Sequence, residues 1–158
     1  MNGIAVLWVG RRAAAELEAL TATYAKRVAR HVPLAELRIR PAAGRQSDPR
    51  RALAEEAAAV RSHLRPGDTV VALDEAGRER TTDEIASWLA GRLRQGRTVF
   101  VIGSDLGLDP SLKSEADEKM AVSRLTLAHG LARLVLLEQL YRVLDLLAGG
   151  QYHRGCSG

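Results

Sequence analysis

The 158-residue sequence predicts a single α/β domain, spanning 1–158, built on a mostly parallel sheet flanked by helices. Three observations lead there. Short apolar runs recur along the chain, stretches with helical spacing separate them, and Gly or Pro punctuates most junctions. The order strand, helix, strand repeats from the beginning, and no repeat, linker or low-complexity segment interrupts it.

Each element follows from its residues. GIAVLWV (3–9) is a compact apolar run bounded by Gly10 and reads as a buried strand. Residues 12–31 place Leu17, Leu20, Tyr24 and Val28 on one helical stripe. LAELRIR (34–40) alternates as a strand does, and PAAGRQSDP reads as a loop, with 41–48 expected to be mobile. Asp48-Pro49 has the form of an N-cap followed by proline in the first turn, opening a helix over 49–64 that Pro66-Gly67 stops. DTVVALD (68–74) is a third strand, EAGRER a turn, and Thr81 with Glu84 a capping box for a helix over 82–95. RTVFVIG (97–103) is the most apolar strand, Asp109-Pro110 opens a short helix, AVSRLTL (121–127) is a fifth strand, and 129–147 is the last helix.

Composition narrows the class. Apolar residues make up 46% and charged residues 27% of the chain, as in a soluble globular protein, and no apolar run approaches the roughly 18 residues of a membrane span. The early basic residues follow the first apolar run, the reverse of a secretory signal. One cysteine, Cys156, permits neither an internal disulfide nor a thiolate metal cluster, so a reducing cytoplasm is expected. No metal-ligand spacing appears: His31 and His63 lie on helices without partners. Residues 1–65 carry 12 Arg or Lys against 6 Asp or Glu, which makes the first half a candidate surface for a polyanion, or simply a set of solvated helix faces.

Ligands of open α/β sheets bind at the carboxyl ends of the strands. Leu73-Asp74, Gly103-Ser104-Asp105-Leu106-Gly107 and Leu125-Thr126-Leu127 stand at such ends. The middle segment lacks the spacing of dinucleotide and P-loop sites, and Asp105 would repel a pyrophosphate, so a ligand without phosphates suits it better. The last helix carries a wide apolar arc (Leu134, Leu136, Leu137, Leu140, Tyr141, Val143, Leu144, Leu147) and a second patch of Leu131, Val135 and Leu146. Two apolar faces point to a sheet on one side and a second copy on the other, or to an interior helix. Arg133 falls inside the arc, where a guanidinium needs a partner; a ligand or RNA contact and a core-edge salt bridge both satisfy that need. Glu138 and Arg142 are spaced as an i,i+4 pair, and His129 reads as a helix cap or contact.

VVALDEAGRER, VFVIGSDLGLDP, VSRLTLAHGLARLVLLEQLYRVLD and the terminal QYHRG together resemble the ribosomal large subunit methyltransferase H family. The resemblance spans nearly the whole chain and is most specific over 97–154. It implies a SPOUT fold with a C-terminal trefoil knot over about 97–154, S-adenosylmethionine as cofactor, a homodimer, and methylation of N3 of a pseudouridine in 23S rRNA of the ribosome, with neither membrane nor metal. It implies cofactor contacts at Leu73, Gly103 and Val122, Ser123, Arg124, Leu125, Thr126 and Leu127. Tyr152, His153 and Arg154 become the expected catalytic group, with Arg133 and Arg142 as secondary substrate contacts. Gly155 to Gly158 read as a dispensable extension. Two turns depart from the family pattern: Gly103-Ser104-Asp105 stands for a Gly-Gly-Pro-like turn, and Ala128 stands for the proline before His129. A ribosome-binding relative that has lost methylation, and a methyltransferase for another RNA, are the alternatives.

Overall fold

A computed structural model describes residues 2–42 and 47–154. Five parallel strands form one sheet: β1 (Ile4–Val9), β2 (Leu34–Ile39), β3 (Thr69–Glu79), β4 (Thr98–Ile102) and β5 (Glu118–Ala121), in the order β2-β1-β4-β3-β5. Helices α1 (Ala15–Ala29), α2 (Pro49–Arg61), α3 (Thr82–Gln95), α4 (Pro110–Glu115) and α5 (His129–Leu147) complete the α/β fold.

Strand alternation divides the core. Ile4, Val6 and Trp8 of β1, with Phe100 and Ile102 of β4, pack under α1, α3 and α5 through Val28, Leu89, Leu136 and Leu140. The intervening residues Ala5, Leu7, Val9, Val99 and Val101 face α2 and α4 through Ala57, Val60 and Leu112. Both faces of these strands are covered, which is why they read as unbroken apolar runs. The caps act as expected: the Asp48 side chain accepts Arg50 N–H, and the Thr81–Glu84 box is complete in both directions. A two-oxygen pair of Arg97 with Asp68 ties the start of β3 to that of β4, with Nη2 to Oδ2 at 2.6 Å.

Two elements differ from expectation. EAGRER is no turn: β3 runs on to Glu79, with Leu73 and Arg78 both opposite Met120 of β5 and the intervening residues bulged out. Gly77 permits this, since a Cβ there would sit 2.7 Å from the Lys119 carbonyl carbon. The fifth strand is Glu118–Ala121 rather than 121–127. Residues 122–128 leave the sheet edge as a loop, and the Ser123 hydroxyl accepts Leu125 N–H at 2.9 Å. Half of the expected mobile loop (43–46) and the terminal extension (155–158) lie outside the described residues.

Candidate methyl-donor cleft and C-terminal tail

The loops after β1 and β4 leave for opposite faces, one to α1 and the other to α4, and such a divergence opens a crevice at the strand ends. A cleft of about 500 Å³ lies there, walled by Leu73–Glu75, by Ile102–Leu108 and by the loop from Val122 to His129. Its size suits a small organic ligand. Of the residues expected to hold a cofactor, Leu73, Gly103, Val122, Ser123, Leu125, Thr126 and Leu127 line it. Arg124 does not; it points outward and pairs with Glu79 at 3.1 Å. Loop, not strand, supplies residues 122–127, so their backbone is free of sheet pairing and available to a ligand.

Gly103 has a spatial reason: a Cβ there would stand 2.5 Å from the Gly107 carbonyl. The wall is otherwise acidic and apolar. Asp74 pairs with Lys113 at 3.3 Å. Burial works to raise the Asp74 carboxyl, but Ala76 N–H and the Lys113 ammonium outweigh it and hold it below the usual carboxylate range. Glu75 accepts the Thr126 hydroxyl at 2.7 Å, joining the β3 bulge to the loop opposite. Among the described residues no arginine lines the cleft, and its lysine, Lys113, is engaged by Asp74. Asp74, Glu75 and Asp105 leave the lining net negative, which suits a cation better than a phosphate.

His129 was readable only as a cap or contact, yet it forms part of the cleft wall. Its Nδ1 lies 3.2 Å from Asp105 Oδ1 and its Nε2 3.3 Å from the Arg11 carbonyl. The ring lies nearly parallel to Trp8, 20° between planes, and against Gly10, where a Cβ would collide with it at 2.5 Å. Glycine at the exit of β1 is thus explained by a histidine far along the chain, a relation no local pattern carries.

Arg133 takes the salt-bridge role. It is 4% exposed, bonds Glu18 of α1 at 2.6 Å, and lies 3.9 Å above the Trp8 ring. Burial works to raise Glu18, and Ala13 N–H and Arg133 together bring it below its ordinary value. Arg133 does share a groove with Arg12, Arg38 and Glu36, beside the cleft rather than within it.

The tail lies at the other end of α5. Gly149, at φ +79°, turns the chain out of the helix. Asp145 then accepts Tyr152 N–H at 3.0 Å, folding the tail back along α5. The Tyr152 ring rests on Tyr141 at 4.7 Å and under the Arg142 guanidinium at 4.5 Å. Its hydroxyl meets Tyr24 and Glu138, each at 3.2 Å. Burial, the Tyr24 contact and the Glu138 charge push this phenol far above its usual value, so it remains protonated. Arg142 also bonds Glu138, through Nε at 3.0 Å. His153 Nε2 lies 3.9 Å from Asp83 of α3, and Arg154 is exposed. None of Tyr152, His153 or Arg154 lines the cleft of its own chain.

A family of proteins described as predicted SPOUT methyltransferases matches residues 2–153. The chain belongs to the SPOUT methyltransferase family. It is 38% identical over 152 residues to the ribosomal RNA large subunit methyltransferase H of Gloeobacter violaceus, covering 96% of this chain and 99% of that one. The corresponding protein of Solidesulfovibrio magneticus is 40% identical over 155 residues, covering 97% and 99%. A probable methyltransferase from Bordetella pertussis has the same fold at 14% identity, with TM-score 0.55 over 90% of this chain and 95% of that one.

For a SPOUT methyltransferase, the sequence reading missed Glu56, Lys113 and the cleft-facing side of His129. Glu56 had a signal: it sits four residues from both Ala52 and Val60, on the buried stripe of α2, where a charge is conspicuous.

Proposed function

We propose that the chain methylates N3 of a pseudouridine in 23S rRNA, taking the methyl group from S-adenosylmethionine as a homodimer in the cytoplasm. The observation that carries this reading is the net acidic cleft at the end of the sheet of a SPOUT methyltransferase. Relatives named for ribosomal RNA methylation match across nearly the whole chain. The donor has a sulfonium and an ammonium group, and Asp74, Glu75 and Asp105 give the cleft three carboxylates to complement them. Leu73, Leu127 and Ala132 supply apolar contact for its purine. In this reading residues of about 97–154 thread the trefoil knot that shapes the cleft.

When bound, the donor supplies an electrophilic methyl group. The residues of this chain handle the acceptor. An N3 imide is mostly protonated at neutral pH, and the His153 imidazole accepts that proton. Arg154 stabilises the negative charge that develops on the ring. Tyr152, seated on Tyr141 and Arg142, anchors the tail. Arg142 acts through the tail it holds, by way of Glu138 and Tyr152, Arg133 acts as the buried partner of Glu18, and the basic N-terminal half draws the complex to the ribosome.

Cleft and tail meet between protomers. Leu131, Val135, Glu138 and Arg142 are spaced 4, 3 and 4 residues apart along α5 and so form one stripe. The cleft lies at its start and the tail beside its end. Leu131 is 41% exposed there. A two-fold axis across the stripe brings the tail of one copy toward the cleft of the other. The decisive assay is S-adenosylmethionine-dependent methylation of purified ribosomes lacking the modification. Persistence of the N3 methyl in a strain without this protein removes the substrate assignment, and ribosome binding without methyl transfer selects the binding-only alternative.

A further inference from the structure

The cleft loop is held from behind by a buried carboxylate. Glu56 of α2 is 4% exposed. Its Oε1 accepts Ala42 N–H at 3.1 Å and its Oε2 accepts the Ser104 hydroxyl at 2.9 Å. The Ser104 oxygen accepts Leu106 N–H at 3.3 Å, and the Ser104 carbonyl accepts Gly107 N–H at 2.8 Å. A single carboxylate therefore reaches from the segment after β2 to the turn that walls the cleft. On the other side of that turn, Asp105 meets His129.

A carboxylate is kept out of water at a cost that its hydrogen bonds must offset. Neither donor to Glu56 belongs to α2 itself, so the charge does nothing for its own helix. What it fixes is the Ser104 side chain, at one of the two turns that depart from the family pattern.

We propose that Glu56 is a positioning residue for the methyl-donor cleft, acting through Ser104 to hold the Gly103–Gly107 backbone in its binding geometry. The proposal rests on the cleft being the donor site. The hydroxyl at position 104 and the carboxylate at position 56 work as one unit, and removal of either releases the same turn.

The test is a double-mutant cycle of Glu56→Leu, Ser104→Ala and the pair, with Glu56→Gln as the conservative variant, in the full-length protein. Calorimetry with S-adenosylhomocysteine reads affinity, and hydrogen exchange reads the Leu106 and Gly107 amides. Each single change is expected to weaken S-adenosylhomocysteine binding by about tenfold, the scale of one lost charged hydrogen bond. The double variant is expected to be no weaker than the singles. Both amides exchange faster, and the loss falls more on the KM for the donor than on kcat. Glu56→Gln, which keeps one acceptor and a donor toward Ser104, recovers most of the affinity. Unchanged affinity in folded single variants overturns the role of Glu56, as do fully additive losses. Failure of the wild-type protein to bind S-adenosylhomocysteine or S-adenosylmethionine overturns the cleft reading and this proposal with it.

Discussion

In the proposed reaction His153 and Gly103 serve opposite halves, and their substitutions are expected to separate. His153→Ala is expected to lower turnover by about 10²-fold or more while leaving calorimetric affinity for S-adenosylmethionine unchanged, because the base acts on the acceptor alone. Gly103→Ala does the reverse: its Cβ would press into the Gly107 carbonyl at 2.5 Å, and affinity for the donor falls by about tenfold or more. Equal effects of both changes on binding would contradict this division. Asp68 belongs to stability. Its carboxyl, raised by burial but lowered further by Arg97 and Arg65 N–H, titrates below its ordinary value. A depressed carboxylate contributes stability that is complete above its unfolded pKa of about 3.9 and fades as pH falls through the lower folded value. Asp68→Asn is therefore expected to cost about 2 kcal/mol in urea titrations at pH 7, with the gap to wild type narrowing below about pH 4.

At the scale of elements, α5 carries most of the consequence. Leu131→Asp puts a charge on the open stripe, and sedimentation is expected to show a monomer that binds donor but transfers no methyl group. A dimer of unchanged stability would place the interface elsewhere. The same helix shows what was legible beforehand. Its bounds, 129–147, follow from periodicity alone and agree with the structure, as does α3 at 82–95 with its capping box. AVSRLTL was misread because strand-favouring residues do not by themselves supply a pairing partner. Val122, Ser123, Leu125, Thr126 and Leu127 line the cleft while Arg124 points outward. The β3 bulge was hidden because its pairing depends on Met120, distant in sequence. The partner of Arg133 was equally illegible: Glu18 lies 115 residues away, and spacing says that a guanidinium needs a partner without saying which.

For the whole molecule, the separation of tail and cleft within one chain has a direct test. α5 has 19 residues and spans about 28 Å, with the cleft near one end. Mixed dimers of His153→Ala and Gly103→Ala subunits are expected to regain methylation, since one of the two composite sites has an intact tail and an intact cleft. Homodimers of either variant stay impaired; no recovery on mixing would mean that each chain serves its own site. Charge acts at the same scale. With the surplus of Arg and Lys in residues 1–65, ribosome affinity should fall by at least about tenfold between about 50 mM and 200 mM salt.

The contact between Gly10 and His129 also orders events in time. β1 is made before the other strands of the sheet, yet it lies inside the sheet between β2 and β4, and its exit abuts the first residue of the last helix. A nascent chain emerging from N- to C-terminus has no finished donor cleft until residues 122–129 are available to close it. Such long-range closure slows folding, and in the proposed reading a truncated product, released before α5, holds no methyl donor.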